Sequence, residues 1–481
     1  MAIRSFLCAA LAAALLAGCG GADGGPVDVT AIGGPPRLAN PNLQPLDPPS
    51  AFLIEAVAQG LVRFDAAGEI EPALAQSWIV SDDGLRYTFR LRRTEWPGGG
   101  RVTAQQVAAR LKASFSRASR NRLKPVLGAI GDVVAMTDEV LEISLLGPRP
   151  NLLQLLAHPE LAIILDGRGT GPYRIADSEG PALRLELPRG DDEEAEDDAP
   201  DILLRGQGTA RAVARFVEGR TDLVLGGDAG GLPILRAADV AAAAVRYDQA
   251  SGQFGLAFAA REGPLADPAV RRALSMAVDR QAIAAALQVP RPSVRTSLVS
   301  PGVHDLPNPA QPDWAGAPQE ARRQAAAQAI AALGLEARPG IRVAMPEGPG
   351  YRIIFAHLRR DWRLIGVDAV AVRWNAPAEL RFVDAVAPAN LASWYLRHFT
   401  CEASAVCDAE ADRALLAART AARTGERIAQ FQIADRILSE LTPFIPITAP
   451  VRWSLVSQRL TGFRPSPFAR HPAANLIAER P

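Results

Sequence analysis

Asp267-Pro268-Ala269-Val270-Arg271-Arg272-Ala273-Leu274, continued by Ala277-Val278-Asp279-Arg280, is the most specific stretch of this 481-residue chain. Val270, Leu274, Ala277, Val278 and Ala285 fall on one helical face, which predicts a single amphipathic helix over Ala269 to Leu287. Arg271, Arg272, Asp279 and Arg280 ride on the same helix. Asp279 stands seven positions beyond Arg272 and reaches it only through a bridging partner. These charges are therefore assigned to packing rather than to a ligand.

Outward from this block, helical and strand-like segments alternate. Upstream, Ala51 to Leu61 reads as a helix, and Val62-Arg63-Phe64 starts a strand that turns at Ala66-Ala67-Gly68. Trp78-Ile79-Val80, a polar turn at Ser81 to Gly84, and Tyr87 to Leu91 read as a hairpin. Thr103 and Gln106 form a capping box that opens a helix to about Ser116. Strand signals follow at Val140 to Leu146, Pro172 to Ile175 and Leu183 to Leu187. Downstream, Gln319 to Leu333 and Tyr351 to Ile365 are helices with Gly334 and Gly366 at their C-terminal ends. A strand at Val367 to Trp374 and a helical pair, Ala409 to Thr420 and Glu426 to Leu441, complete an α/β pattern. Asp191 to Asp198 carries seven acidic side chains in eight positions and reads as a solvated loop; its spacing matches no EF-hand.

The ends and the composition set the compartment. Arg4, the apolar run Phe6 to Ala17, and Leu16-Ala17-Gly18-Cys19 have the layout of an export signal, too short to span a membrane. The string before Cys19 also resembles a bacterial lipobox, which makes Cys19 the first mature residue and a lipidation site. The competing reading is an ordinary signal peptide with an incidental cysteine. Cys401 and Cys407, six apart, read as a local disulfide in an oxidising compartment, against the alternatives of free thiols or a metal site. Basic and acidic residues balance at 52 each, with no basic stripe and interleaved aromatics, so no nucleic-acid partner is expected. No histidine pair has zinc-helix spacing, and no G-x-S-x-G elbow or Walker loop appears. Catalytic signatures are thus sparse: no cofactor, no metal and no catalytic residue is expected, and an extracytoplasmic hydrolase is a remote alternative.

Six segments in register carry a resemblance. Glu55 to Val62 with Pro72 to Trp78, Ser81 to Phe89, Val102 to Val107, Gly169-Thr170-Gly171-Pro172-Tyr173-Arg174, Val217 to Asp222, and the block at Asp267 are similar to the ABC importer binding proteins of family 5, the oligopeptide-, dipeptide- and nickel-binding group. Read on their own terms, Gly169 and Gly171 supply backbone angles that bulkier residues resist. The resemblance implies a two-lobed α/β fold of the type II periplasmic-binding-protein kind, with an additional subdomain in the first lobe. The expected boundaries are a signal at 1–18, a flexible tether at 19–36, and a first lobe at 37–251 carrying the subdomain at 48–160. A second lobe follows at 252–445, and 446–481 returns to the first. It further implies a periplasmic, membrane-anchored monomer that closes on a peptide-like ligand and delivers it to an ABC permease. An orphan sensor or chaperone-like lipoprotein without its own transporter is the alternative.

In peptide-binding relatives an aspartate after a tryptophan meets the ligand's α-amino group. Here the corresponding stretch, Ser393-Trp394-Tyr395-Leu396-Arg397-His398-Phe399-Thr400-Cys401, has basic residues instead. Arg397 or His398 is therefore expected to face an anionic ligand group, against the reading that Arg397 is surface-exposed or internally paired. A nickel or metallophore role for His398 is a lesser alternative. Phe254, Trp394 and Tyr395 are expected to line the cleft.

Overall fold

Val27–Ile32 is a strand, and it sits near the middle of a sheet rather than in a tether. Val27, Val29 and Ala31 are buried at period two, and the strand pairs in parallel with Ile202–Gln207 on one side and Leu223–Gly227 on the other. Ordered structure thus begins before Arg37. The expected tether is corrected at its C-terminal end, because these short apolar residues alternate as a half-buried strand does. The computed structural model describes residues 25–176, 180–188, 200–260, 262–334 and 338–476. Residues 1–18, Cys19 and the acidic run Asp191 to Asp198 lie outside the described residues.

Two mixed sheets organise the chain. The first has seven strands in the order Val245–Asp248, Arg452–Val456, Leu223–Gly227, Val27–Ile32, Ile202–Gln207, Leu183–Glu186 and Arg174–Ile175. The second has five, in the order Asp368–Arg373, Gly340–Met345, Leu380–Val386, Gly252–Phe258 and Phe444–Pro446. The backbone leaves the first sheet between Asp248 and Gly252 and returns between Pro446 and Arg452. Two short crossings between two bodies, each built on its own sheet, give the geometry of a hinge.

A third, antiparallel sheet combines Ala75–Val80, Arg86–Leu91, Val140–Leu145 and Ile130–Ala135. Helix Ala104–Phe115 packs on it, opened by the capping box: Thr103 Oγ1 accepts from the Gln106 amide, and Gln106 Oε1 accepts from the Thr103 amide. Helix Pro48–Val57 is not part of this unit. Its Phe52, Leu53, Ala56 and Val57 share the core of the seven-stranded sheet with Val27 and Val29, so the subdomain's own core begins at Leu61 rather than at residue 48. That core continues into the second body through Leu391, Leu396 and Leu438.

The helix expected over Ala269 to Leu287 is two helices, Pro268–Ala277 and Arg280–Ala286. Asp279 causes the break: its carboxylate caps the second helix by accepting from the Ala282 amide, 3.0 Å away. Arg272 pairs with Asp313 instead of Asp279. Arg280 is fully buried and donates to the carbonyls of Ser275, Val278, Arg295 and Pro446 and to Ser275 Oγ, so its charge is spread over oxygens without any carboxylate.

Gly169 and Gly171 are needed for space rather than for backbone angle. Neither has a positive φ, and an added Cβ would lie 2.4 Å from the Val57 carbonyl oxygen at Gly169 and 2.4 Å from its carbonyl carbon at Gly171. The first segment after the subdomain is thereby pressed directly against the end of helix Pro48–Val57.

Candidate functional site

A cavity of about 430 Å³ opens between the two sheets. The first sheet contributes Gly226, Gly227, Arg452 and Trp453 from its strand ends. The second contributes Asp384 and Val386 from the strand that pairs with the outgoing crossing. Trp394, Arg397 and His398 close one side, and the C-terminal segment brings Arg470 and His471 to another.

Of the five candidate ligand-binding residues, Trp394, Arg397 and His398 border this cavity. Phe254 does not: its ring meets Phe382 edge-on at 5.0 Å inside the core of the second lobe. Tyr395 is also withdrawn, fully buried, with its ring edge-on to Trp394 at 4.8 Å. The reason is local. Residues Ala392–Leu396 form one helical turn, and a turn cannot send adjacent side chains Trp394 and Tyr395 to the same face. Cys401 and Cys407 form a disulfide with Cα atoms 5.0 Å apart. With the Cys401 amide donating to Asp412 Oδ2 at 3.1 Å, it fixes the segment just beyond Arg397 and His398.

Nearly every charge around this cavity has an opposite partner. Arg452 Nη1 lies 2.7 Å from Asp384 Oδ1. His471 Nε2 lies 3.2 Å from Asp248 Oδ2. Arg122 and Arg470 converge on buried Glu160 at 2.6 and 3.4 Å, and Arg470 also approaches Glu55 at 3.8 Å. Burial opposes ionisation of Glu160, but the two guanidinium groups prevail and hold it down at about 2. Glu55 shows the opposite balance: burial outweighs Arg470 and raises it to about 6.

Arg397 breaks the pattern. It is half-buried, no carboxylate of the described residues forms an ion pair with it, and its Nε is buried without a hydrogen-bond partner among them. Its guanidinium contacts His398, whose Nε2 is 3.5 Å from Nη2. Burial, reinforced by Arg397, pushes His398 down to about 3, so the imidazole is neutral and adds no second charge.

A further polar chain ties the lobes. Tyr351 Oη is 3.0 Å from Asp228 Oδ2 and 2.7 Å from Asp384 Oδ2. One phenolic proton serves only one of two ionised carboxylates. Burial and the neighbouring Asp384 push Asp228 up, while Arg452 and the Tyr351 hydroxyl act in the opposite direction. Asp384, Arg452, Arg470 and Asp228 were not singled out in the sequence. The one available signal was Arg452-Trp453 standing just past the return crossing; Asp384 had none. Among the described residues, no group of three or more His, Cys, Asp or Glu side chains is placed to hold a metal ion. No helix among them is long and apolar enough to cross a membrane.

Two α/β bodies joined by paired crossings, with a cavity walled from both, define a two-lobed binding protein of the type II periplasmic kind. The chain belongs to the bacterial extracellular solute-binding proteins, family 5, whose middle region it matches over residues 69–379. It is similar to the Haemophilus influenzae OppA complex with RPPGFSPFR, at 17% identity and a TM-score of 0.79, covering 94% of this chain and 99% of that one. The Escherichia coli murein tripeptide binding protein MppA gives 20% identity and a TM-score of 0.79, covering 95% and 99%. At such identities the likeness bears on fold alone, and it bears out the expected architecture. A shorter sequence match, 32% identical over 154 residues, is to the glutathione-binding protein GsiB of Escherichia coli O1:K1 / APEC, covering 28% of this chain and 30% of that protein. Family 5 members are extracytoplasmic binding proteins of ABC importers rather than enzymes.

Proposed function

We propose that this protein is the lipid-anchored binding component of an ABC importer, closing its lobes over a small peptide-like ligand and presenting it to a permease. One observation carries the reading: the cavity of about 430 Å³ is built from both sheets, so a ligand inside touches both lobes. A ligand with contacts to both lobes favours the closed arrangement by its differential affinity, which is the signal a permease reads. The volume falls within the roughly 300–1,000 Å³ of small-molecule pockets. GsiB and MppA, by their names, bind glutathione and a murein tripeptide, ligands of the size class proposed here. Cys19 would carry the acyl chains, each buried methylene contributing about 0.8 kcal/mol to membrane attachment.

Native mass spectrometry of the purified protein, followed by small-angle scattering with and without the recovered solute, tests this. The expected result is a bound solute of peptide size and a smaller radius of gyration when it is present. A protein that carries no solute, and whose scattering ignores every peptide offered, would overturn the reading.

A further inference from the structure

We propose that the ligand carries a carboxylate and that this group meets Arg397 in the cleft between the lobes. The inference rests on the binding-protein reading above and specifies the chemistry of the ligand.

The argument begins with what a half-buried guanidinium requires. Arg452, Arg122 and Arg470, which share the cavity wall, each have a carboxylate within 4 Å. Arg280, deeper in the protein, has none, but backbone carbonyls and a hydroxyl absorb its donors. Among the described residues Arg397 has neither arrangement: its Nε is buried and unpaired, and its guanidinium meets only a neutral imidazole, at 3.5 Å. Leaving a desolvated cation in that state is costly, and an anion arriving from the cavity relieves the cost.

The chemical class follows from the donor and its surroundings. A guanidinium presents a planar fork that matches the two oxygens of a carboxylate. Trp394, edge-on to His398 at 5.1 Å, supplies an apolar wall beside it. The opposite end of the cavity offers paired charges rather than free ones. A compact ligand with one dominant anionic group therefore fits better than a polycation or a doubly charged phosphate.

Isothermal titration of the full-length mature protein provides the test, with glutathione, Ala-Glu, Ala-Gln and Ala-Gln amide as probes and inorganic phosphate as a separate arm. Ala-Gln separates the terminal carboxylate from the side-chain one, and the amide removes both. We expect the wild type to bind at least one acid, and amidation to weaken that binding by about 30-fold or more. Arg397→Gln should lose a similar factor for the acid and almost nothing further for the amide, with Arg397→Lys in between. Unfolding of the unliganded protein checks the same point independently: Arg397→Met should keep or raise the melting temperature, since only the long contact to a neutral imidazole is abandoned. Tight binding of phosphate with none of the acids, equal binding of acid and amide, or failure of every acid overturns the proposal. If neutral peptides still close the lobes in scattering, the binder reading survives that failure; if nothing binds and nothing closes, both fall.

Discussion

Arg452 and Asp384 join the two lobes directly, Nη1 to Oδ1 at 2.7 Å, one side chain from the seven-stranded sheet and the other from the five-stranded. Both are largely withdrawn from water, at 18% and 6% side-chain exposure, so solvent screens the pair little. Tyr351 donates to the same aspartate, which makes Asp384 the common acceptor of the interlobe contact.

Removing one partner of that pair leaves the other desolvated and alone. Asp384→Asn is expected to cost on the order of 3 kcal/mol, expressed as a loosening of the lobes rather than as loss of either sheet. Scattering should show a larger radius of gyration for the unliganded variant, with unchanged far-ultraviolet circular dichroism. An unaltered scattering profile would show that the contact does not govern lobe separation.

Two buried groups in this region titrate with opposite effects. His158 is depressed by burial to about 3, so the folded form binds fewer protons than the unfolded one and stability is lost as pH falls below its ordinary 6.5. Glu55 is raised to about 6, so the folded form binds more protons and stability is gained as pH falls from there towards 4.5. These slopes offset one another between about pH 6 and 4.5. Glu55→Gln removes the second, and urea titrations should then show up to about 1.4 kcal/mol of extra loss per pH unit in that window.

Space, not backbone angle, constrains Gly171. Gly171→Ala places a methyl group 2.4 Å from the Val57 carbonyl carbon, where only backbone movement can relieve it. The expected cost is about 1–3 kcal/mol in denaturant unfolding. Gly208→Ala, with nothing within 4 Å of the added carbon, is the control and should stay within about 0.5 kcal/mol.

The Cys401–Cys407 bond closes too small a loop to stabilise the whole fold strongly. Replacing both cysteines with serine should cost at most about 2 kcal/mol, by extrapolating the loop-entropy rule to short loops. Hydrogen exchange should accelerate between residues 399 and 412 while the sheets remain protected.

Local signals were legible in the sequence, and pairings across long separations were not. The capping box at Thr103 and Gln106, the hairpin around Ser81 to Gly84, and the glycines 334 and 366 at helix ends are written within a few residues, and each stands where its pattern placed it. Asp384 and Arg452 lie 68 positions apart on strands of different sheets, so no spacing rule connects them. Glu160, Arg122 and Arg470 are gathered from the subdomain and the C-terminal segment, which is equally invisible to a window of sequence. Arg397 and His398 were accessible because basic residues stood where an acidic one was expected. Phe254 misled because a strand next to a crossing has one face towards the cleft and one towards the core, and the sequence does not say which. The run Val27–Ile32 was masked by its Gly- and Asp-rich neighbours, although its own alternation is that of a strand.

The strand Arg452–Val456 has a consequence for how the molecule is assembled. It is inserted between Leu223–Gly227 and Val245–Asp248, strands made more than two hundred positions earlier. The older pair has no contact along that seam until this late segment arrives. Without Arg452–Val456 the first sheet has open edges on both sides of that seam, while 252–446 is contiguous and holds every strand of the second sheet. Such open edges invite wrong pairing. The first sheet is therefore complete only when nearly the whole polypeptide is present.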